Sequence, residues 1–519
     1  MPSDPPSENE RHDRDSHGED HRADGSKKLR REVSEPGRHD VARYTAELNT
    51  VSIARRCFWP ALVCLAVYGA SPHAFFLDDG YISVHSADVV LSGSDPIFNA
   101  PALVGVTSPL YVAILVALRR IGFTDLGALR VAGSLGATLF LFGLWRLGSE
   151  LSLSRRAALI FVVLTSGYCW LQLTNGLETG WAMGMLVWLL VAARARRLAL
   201  AGVLAGLLPF LRPDLALTAG AIVIWSSIAS SWRDRLLALA IVVAVSTPWL
   251  LWMHHSTGSW VPQTIEAKRL FFAEGCKPLS AKAMVAVSGV LIALVSLLPL
   301  ALGAVGLFGE TLGILGSVTI VATLAVYAIE LPGAVFHNYF RYIYPVLVPW
   351  LVYGSVRMLP QVSTALVVVV AGVSFGLLPI RHFREDGIAR ESITAAEAVD
   401  RQVPDGAVVL VHDAGAISVF AHRRAVDLVG LKSPKSVAAN ARWTWPSCGA
   451  DRADAIVAIV KESGARYLVT IGFWEDTYGI VSGLQARGVV LEAIRRPPTP
   501  SGYTIWRLVS APGFALLPS

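Results

Sequence analysis

The chain has 519 residues, 53% of them hydrophobic and 16% charged, with a net charge of +6 and a mean hydropathy of +0.51. Soluble domains carry about 25% charged residues, so this composition excludes an ordinary soluble protein and calls for long apolar segments. The positive charge is modest, and no zinc-finger spacing, helix-turn-helix pattern or aromatic-basic motif accompanies it, so no nucleic-acid partner is expected.

Three regions follow one another. Residues 1–56 are polar and dense in charge, with too little apolar surface to offset the entropy of ordering, and are predicted to be a disordered tail. Residues 57–380 are a succession of apolar runs, read as a membrane domain, and residues 381–519 return to ordinary globular composition. A span needs about 20 apolar residues. Runs near 57–76, 126–148, 157–175, 180–194, 198–212, 214–230, 235–253, 283–307, 310–330, 341–358 and 363–380 give about eleven transmembrane helices. The first run follows a long polar tail and lacks a small-residue cleavage site, so it is expected to stay as an anchor.

Lys27, Lys28, Arg30, Arg31, Arg55 and Arg56 place the N-terminus in the cytoplasm. The clusters Arg155-Arg156, Arg194/Arg196/Arg197 and Arg233/Arg235 then share that side only if the short run 108–118 does not cross. That run is read as a juxtamembrane or re-entrant helix on the outer side. An odd number of spans puts the C-terminal domain outside the cytoplasm. This topology gathers the loop 77–125, the Gly176-Leu177-Glu178 and Arg212-Pro213-Asp214 turns, the loop 254–282 and the segment His337–Arg341 on the outer face. Arg119, Arg120, Arg212, Lys268, Arg269 and Arg341 there run against the positive-inside bias, and an anionic lipid headgroup is one reason for them.

Asp78-Asp79 directly follows the first span. Two adjacent carboxylates at a membrane surface are costly unless solvated, paired or functional. Ile82, His85, Val89 and Val90 recur at helical spacing, which suits an amphipathic helix lying on the membrane with the pair at its start. A carboxylate there can serve as general base toward a hydroxyl, the plainer alternative being a helix cap. Glu178 opens a span, where a helix dipole would also favour it, and Arg212 and Asp214 are close enough to pair with each other. Lys268 is placed to meet a phosphate as a point charge, and His337 and Arg341, at i and i+4, share a face if their segment is helical.

The C-terminal region reads as a small α/β domain, with strands at 407–412, 424–429, 466–471 and 503–509 and a helix at 452–463. It holds no glycine-rich phosphate loop or nucleophile elbow. The five cysteines, Cys57, Cys64, Cys169, Cys276 and Cys448, show no metal-ligand spacing. Cys276 and Cys448 could meet outside the membrane, although two free thiols are the plainer reading.

The ordered set Asp78-Asp79, Gly93, Phe98-Asn99 and Gly105-Val106-Thr107-Ser108-Pro109-Leu110 resembles the first outer loop of the GT-C glycosyltransferases. Within them it is similar to the branch of the mycobacterial terminal β-(1→2)-arabinofuranosyltransferases. Gly176-Leu177-Glu178-Thr179, Leu211-Arg212-Pro213-Asp214, Pro262-Gln263-Thr264 with Ala267-Lys268, His337 with Arg341-Tyr342 and Pro345, His412-Asp413-Ala414-Gly415-Ala416 and Asp427-Leu428-Val429-Gly430-Leu431 continue the pattern in order. His85, where such relatives often carry Arg, and Gln263, in place of Asn, depart from it.

The resemblance implies a polytopic α-helical membrane protein of GT-C type with an extracytoplasmic C-terminal α/β domain, in the bacterial plasma membrane. It implies inverting transfer of a monosaccharide, arabinofuranose by analogy, from a polyprenyl-phosphate donor to a glycan or glycolipid acceptor of the cell envelope. Asp78 would then be the base and Asp79 its partner, orienting substrate or a metal. Arg212, Lys268 and Arg341 would meet the donor phosphate, and His85, Glu178, Asp214 and His337 would line the cavity. No soluble cofactor is required, with room left for a divalent metal. Two other readings compete: a transporter or flippase of lipid-linked sugars, against which no internal repeat is found, and a non-catalytic assembly partner, against which the intact pair argues.

Overall fold

The computed structural model describes residues 76–359, 389–497 and 502–509, with positions 366, 369, 372 and 373 between them. The expected tail 1–56, nearly all of the first run 57–76, Cys57, Cys64 and most of the run 363–380 lie outside the described residues. The first described helix is α1 (Asp78–Ser92), followed by α2 (Pro109–Arg120), α3 (Asp125–Leu147), α4 (Leu153–Thr165), α5 (Thr179–Arg194), α6 (Leu198–Leu207) and α7 (Ala216–Ser227). Then come α8 (Trp232–Thr257), α9 (Gln263–Phe272), α10 (Leu279–Ser296), α11 (Leu298–Leu307), α12 (Thr311–Glu330) and α13 (Tyr344–Met358). Among the described residues α3, α8, α10 and α12 are long and apolar enough to cross a membrane, and α5 and α11 are shorter apolar helices. The fold is that of a polytopic membrane protein with a C-terminal domain.

The sequence periodicity locates most of these helices but misses α9, which falls in the stretch 254–282 read as a loop, and two breaks. The run 157–175 is interrupted at Ser166-Gly167-Tyr168, where Gly167 takes a φ of +53° and a Cβ would fall 2.3 Å from the Tyr344 hydroxyl oxygen. The run 283–307 divides at Leu297, and Pro299 sits in the first turn of α11, where its missing N–H is tolerated. α2 has 12 residues, roughly 18 Å, short of a hydrocarbon core of about 30 Å. Small residues let the membrane helices approach closely. On α3, the main chain receives the indoles of α5: Trp181 donates to the Ala132 carbonyl at 2.8 Å and Trp188 to the Leu139 carbonyl at 3.0 Å. The opposite extreme is α8, whose Leu236, Leu237, Leu239, Val243 and Leu251 are exposed, as a lipid-facing surface requires.

The C-terminal domain is built on a five-stranded sheet, β1 (Val408–Val411), β2 (Arg424–Asp427), β3 (Tyr467–Ile471), β4 (Val490–Arg495) and β5 (Tyr503–Val509), in the order β2-β1-β3-β5-β4. β2, β1 and β3 are parallel, with Val411 opposite both Asp427 and Val469, while β5 and β4 add antiparallel. The edge strand β4 was not expected from the sequence, and none of its residues is fully buried. The helix Arg452–Ser463 falls at the expected residues. A six-residue helix, α14 (Gly415–Phe420), leaves the carboxyl end of β1. Parallel strands present functional groups at those ends, and here they are turned toward α1.

Candidate active site

α1 does not lie on the membrane as an amphipathic helix. Tyr81, Ile82, Val84, His85, Ser86, Ala87 and Val89 are all buried. The C-terminal domain covers the face that the sequence assigned to solvent or headgroups: Tyr81 meets Phe420 edge-on at 5.4 Å, and the Lys432 ammonium donates to Ser86 Oγ at 2.7 Å. Neither member of the Asp pair caps α1, whose N-cap is Leu77 without a side-chain bond.

The two carboxylates part company. Asp78 accepts the N–H of Gly415 at 2.8 Å on Oδ2 and that of Ala416 at 2.7 Å on Oδ1. A Cβ at position 415 would lie 1.8 Å from the Asp78 carbonyl oxygen, so only glycine admits this approach. Burial, and then the neighbouring Asp413 and Asp79 carboxylates, push the Asp78 carboxyl well above its usual range. Asp79 turns the other way. It receives the Arg341 guanidinium and, at 3.1 Å, the Asn338 amide. Burial works to raise Asp79, but the charges of Lys268 and Arg341 outweigh it and hold the carboxyl at about 2.

Behind Asp79 runs a buried ladder of alternating charge. Arg341 Nη2 donates to both Glu178 oxygens at 2.9 and 3.1 Å. Arg212 reaches Glu178 at 3.2 Å and grips Asp214 through two bonds of 3.1 and 2.9 Å. The Tyr327 hydroxyl donates to Asp214 at 2.7 Å. Lys268 donates to the Tyr342 hydroxyl at 2.6 Å, and the Tyr342 ring has Arg212, Lys268 and Arg341 within 5.0, 5.4 and 5.8 Å. Ionised groups out of water cost several kcal/mol each unless compensated; three carboxylates set against three cations compensate here. Burial opposes the Lys268 charge, yet Tyr342 and Asp79 together hold its proton above the usual lysine range.

His337 and Arg341 do not share a helical face. Asn338, Tyr339 and Phe340 between them have φ of 47°, 61° and 66°, a left-handed stretch of three non-glycine residues. Each costs roughly 1–2 kcal/mol, and such strain persists where the surroundings over-determine it. Gln172 fixes this one by donating to the carbonyls of Asn338 and Tyr339, both at 2.8 Å. The turn delivers Asn338 and Arg341 to the same Asp79 oxygen. His337, near Asp79 and Lys268, is lowered to about 4 by burial and then by the Lys268 charge, and is neutral at pH 7.

Two small cavities flank the pair. One, of about 30 Å³, is lined by Asp79, Thr107, Ser108, Thr264, Lys268 and Arg341, among others. The other, of about 10 Å³, is lined by Asp78, Asp413 and Tyr503 together with apolar residues of the sheet. The first brings together three of the residues singled out by sequence, Asp79, Lys268 and Arg341. Glu178, Arg212 and Asp214 are tied to one another behind it and do not line it. His85 is placed apart: its Nε2 lies 3.1 Å from Asp95, whose carboxylate also accepts the N–H groups of Ile97 and Phe98, so this histidine fixes the loop after α1.

The sequence had marked His412-Asp413 only as part of a pattern. In the fold, Asp413 faces Asp78, accepts the Tyr503 hydroxyl at 2.5 Å and lies 3.2 Å from His412 Nδ1. His412 Nε2 accepts the Ile471 N–H at 3.0 Å and its ring stacks on Trp474 at 4.2 Å. Burial raises the Asp413 carboxyl, but His412 and Tyr503 hold it low overall. The position of Asp413 at the carboxyl end of a predicted strand was the available signal. Nothing in the sequence announced Asn338 or Gln172. Among the described residues no group of three or more His, Cys, Asp or Glu side chains is arranged to hold a metal ion.

Comparison with known proteins agrees with this architecture. A family profile described as a Domain of unknown function (DUF8728) matches residues 381–509. A terminal β-(1→2)-arabinofuranosyltransferase of Mycobacterium tuberculosis is 27% identical over 245 residues, 42% of this chain and 39% of that protein. The match thus spans about two fifths of the relative's length. Among solved structures, ArnT from Cupriavidus metallidurans in the apo state superposes with a TM-score of 0.53 at 12% identity, over 87% of this chain and 97% of that one. The same protein bound to undecaprenyl phosphate gives 0.51 at 12% identity over the same shares. These likenesses bear out the resemblance to GT-C glycosyltransferases, the structures through the fold alone.

Proposed function

We propose that this chain, with its GT-C fold and partial similarity to a terminal arabinofuranosyltransferase, is an inverting glycosyltransferase that moves a monosaccharide from a polyprenyl phosphate to a hydroxyl of a cell-envelope glycan or glycolipid. The observation that carries the reading is one carboxylate pair with a cation-lined cavity on one side and a carboxylate- and phenol-lined cavity on the other. The donor phosphate belongs with Lys268 and Arg341, a point charge and a fork matched to an anion. Lys268 is the freer of the two, since Arg341 also serves Asp79 and Glu178. That ArnT is known bound to undecaprenyl phosphate supports a lipid phosphate as the donor's anchor. Arabinofuranose as the sugar is supported by the mycobacterial relative.

Asp78 is the base in this reading. Its raised proton affinity suits it to accept a hydroxyl proton, and the Gly415 and Ala416 N–H groups hold its oxygens while leaving each a lone pair. The acceptor hydroxyl loses its proton to Asp78, its oxygen bonds to the anomeric carbon, and the bond from that carbon to the phosphate oxygen breaks, leaving the electron pair on the lipid phosphate. One displacement inverts the centre. Asp79 takes no proton; it keeps Arg341 and the left-handed turn in place. Asp413 and Tyr503 would position the acceptor from the C-terminal domain. The reading places the site at the outer face of the plasma membrane, the N-terminus in the cytoplasm.

The test is transfer of label from a panel of radiolabelled polyprenyl-phosphate sugars by membranes containing the protein, with Asp78→Asn alongside. Transfer from one donor, lost in the variant while the protein still inserts, is the expected result. No transfer from any donor, in an assay validated with a known enzyme, would move the weight to transport of lipid-linked sugars.

A further inference from the structure

The seam between membrane and C-terminal domains holds two thiols. Cys276 ends the short turn Glu274–Cys276, four residues after α9, the helix that carries Lys268. Cys448 belongs to a turn of the C-terminal domain, with a φ of +52°. The sequence separates them by 172 residues, yet Cys448 Sγ lies 3.9 Å from the Cys276 carbonyl oxygen and Cys276 Sγ lies 4.0 Å from that of Trp445. Burial, and then the neighbouring Cys448 thiol, raises the Cys276 thiol. Other contacts already hold the two segments together. Arg452 donates to the Phe271 carbonyl at 3.1 and 3.0 Å, and Arg269 lies 4.5 Å over the Trp445 ring. Bridging two cysteines requires backbones that already lie close, and these contacts hold the two cysteine-bearing segments against each other. Cys448 is exposed and Cys276 half-buried, so an oxidant has access, whereas Cys169 is fully buried.

We propose that Cys276 and Cys448 form a disulfide that staples the end of the Lys268 helix to the C-terminal domain. The two thiols lose two protons and two electrons as the S–S bond forms, and the disulfide of a thiol–disulfide oxidoreductase, or oxidised glutathione in the test tube, is reduced to two thiols. Formation in the cell rests on the reading above that this face lies outside the cytoplasm, where disulfides persist.

The experiment uses the full chain, alkylated with N-ethylmaleimide at lysis, digested without reductant and read by mass spectrometry. The expected product is the linked Cys276–Cys448 peptide pair, with a thermal midpoint that dithiothreitol lowers by several degrees in the native protein and leaves unchanged in Cys448→Ser. Both thiols found alkylated would overturn the proposal. A parallel sample of reduced, purified protein held in oxidised glutathione then tells why: a bond formed there faults the compartment, and none faults the thiol geometry. Sugar transfer by Cys448→Ser, expected to persist, is read separately, so failure of the disulfide and failure of the proposed reaction are distinct results.

Discussion

Asp78 and Asp79 are consecutive and both half-buried, and the surroundings on their two sides differ in kind. On the membrane side the carboxylate meets the full positive charges of Arg341 and Lys268, and Arg341 is also committed to Glu178. On the side of the C-terminal domain the carboxylate meets neutral main-chain N–H groups and a second carboxylate, Asp413. A full cation fixes a carboxylate as an anion; amide dipoles orient it but leave it able to take a proton when another acid stands nearby. Adjacent acids whose environments push their proton affinities apart are how one site obtains both a base and a fixed charge. Under the proposed reaction this difference divides the work: the membrane part would supply charge for the donor anion, and the C-terminal part would orient the base.

The largest effect that sharpens this contrast is on turnover. Asp78→Asn is expected to lower kcat by about 10²- to 10⁴-fold, the range for loss of a general base. Asp79→Asn is expected to lower kcat less and to raise the donor KM, because it releases Arg341 next to the cavity proposed for the donor phosphate. Steady-state kinetics on both variants check this, and equal kcat losses with unchanged KM would erase the distinction between the two sides.

Next comes the ladder. Arg341→Gln leaves Asp79 and Glu178 without their shared cation, and breaking a buried pair costs about 3–5 kcal/mol. Arg341→Lys keeps the charge but not the fork that serves two carboxylates, so it should recover only part of that loss. Denaturant unfolding in detergent measures both. Full rescue by lysine would mean that charge alone, and not geometry, holds this side.

Much of this was legible in the residues. The long described helices and four of the five strands follow from apolar periodicity, because burial in lipid or sheet dictates those patterns directly; the short helices α9, α14, Pro434–Ala439, Gly472–Tyr478 and Ile480–Ala486 do not. Asp79, Lys268 and Arg341 stand out because charge at a membrane face must be explained, and the fold sets them around one cavity. What stayed hidden depends on tertiary approach. Ile82 and Val89 give α1 the spacing of an amphipathic surface helix, but a domain more than 300 residues later in the chain covers its other face. The turn at Asn338–Phe340 contains no glycine to advertise a left-handed backbone; Gln172, from the helix Cys169–Thr174, and Asp79 hold it from a distance in sequence. The pairing of Arg212 with Asp214 was open to the sequence, but its second partner, Glu178, lies 34 residues away and was not.

A smaller effect tests the side of the C-terminal domain. Gly415→Ala forces a methyl into the Asp78 main chain, and overpacking of this kind costs about 1–3 kcal/mol. The helix must retreat, taking both N–H donors from the carboxylate, so kcat should fall while the donor KM stays near its original value. Gly220→Ala, at a helical glycine with nothing within 4 Å of a new Cβ, is the control and should be neutral or slightly stabilising. A rise in donor KM for Gly415→Ala would show that the two sides are not separable.

The smallest effect is one of pH. His337 is lowered from 6.5 to about 4 by burial and the Lys268 charge. Between those values the unfolded chain binds more protons at this residue than the folded chain, so its contribution to stability rises with pH through that window and is complete above about 6.5. Lowering the pH from 7 toward 4 should therefore lower the thermal midpoint, and His337→Asn should flatten that part of the profile without touching the Asp79 contribution, which is lost only as pH falls from 3.8 toward about 2. A profile unchanged by the substitution would mean that His337 gains a proton as readily in the fold as outside it. The positive field ascribed to the membrane side of the pair would then be weaker than the geometry of Lys268 and Arg341 implies.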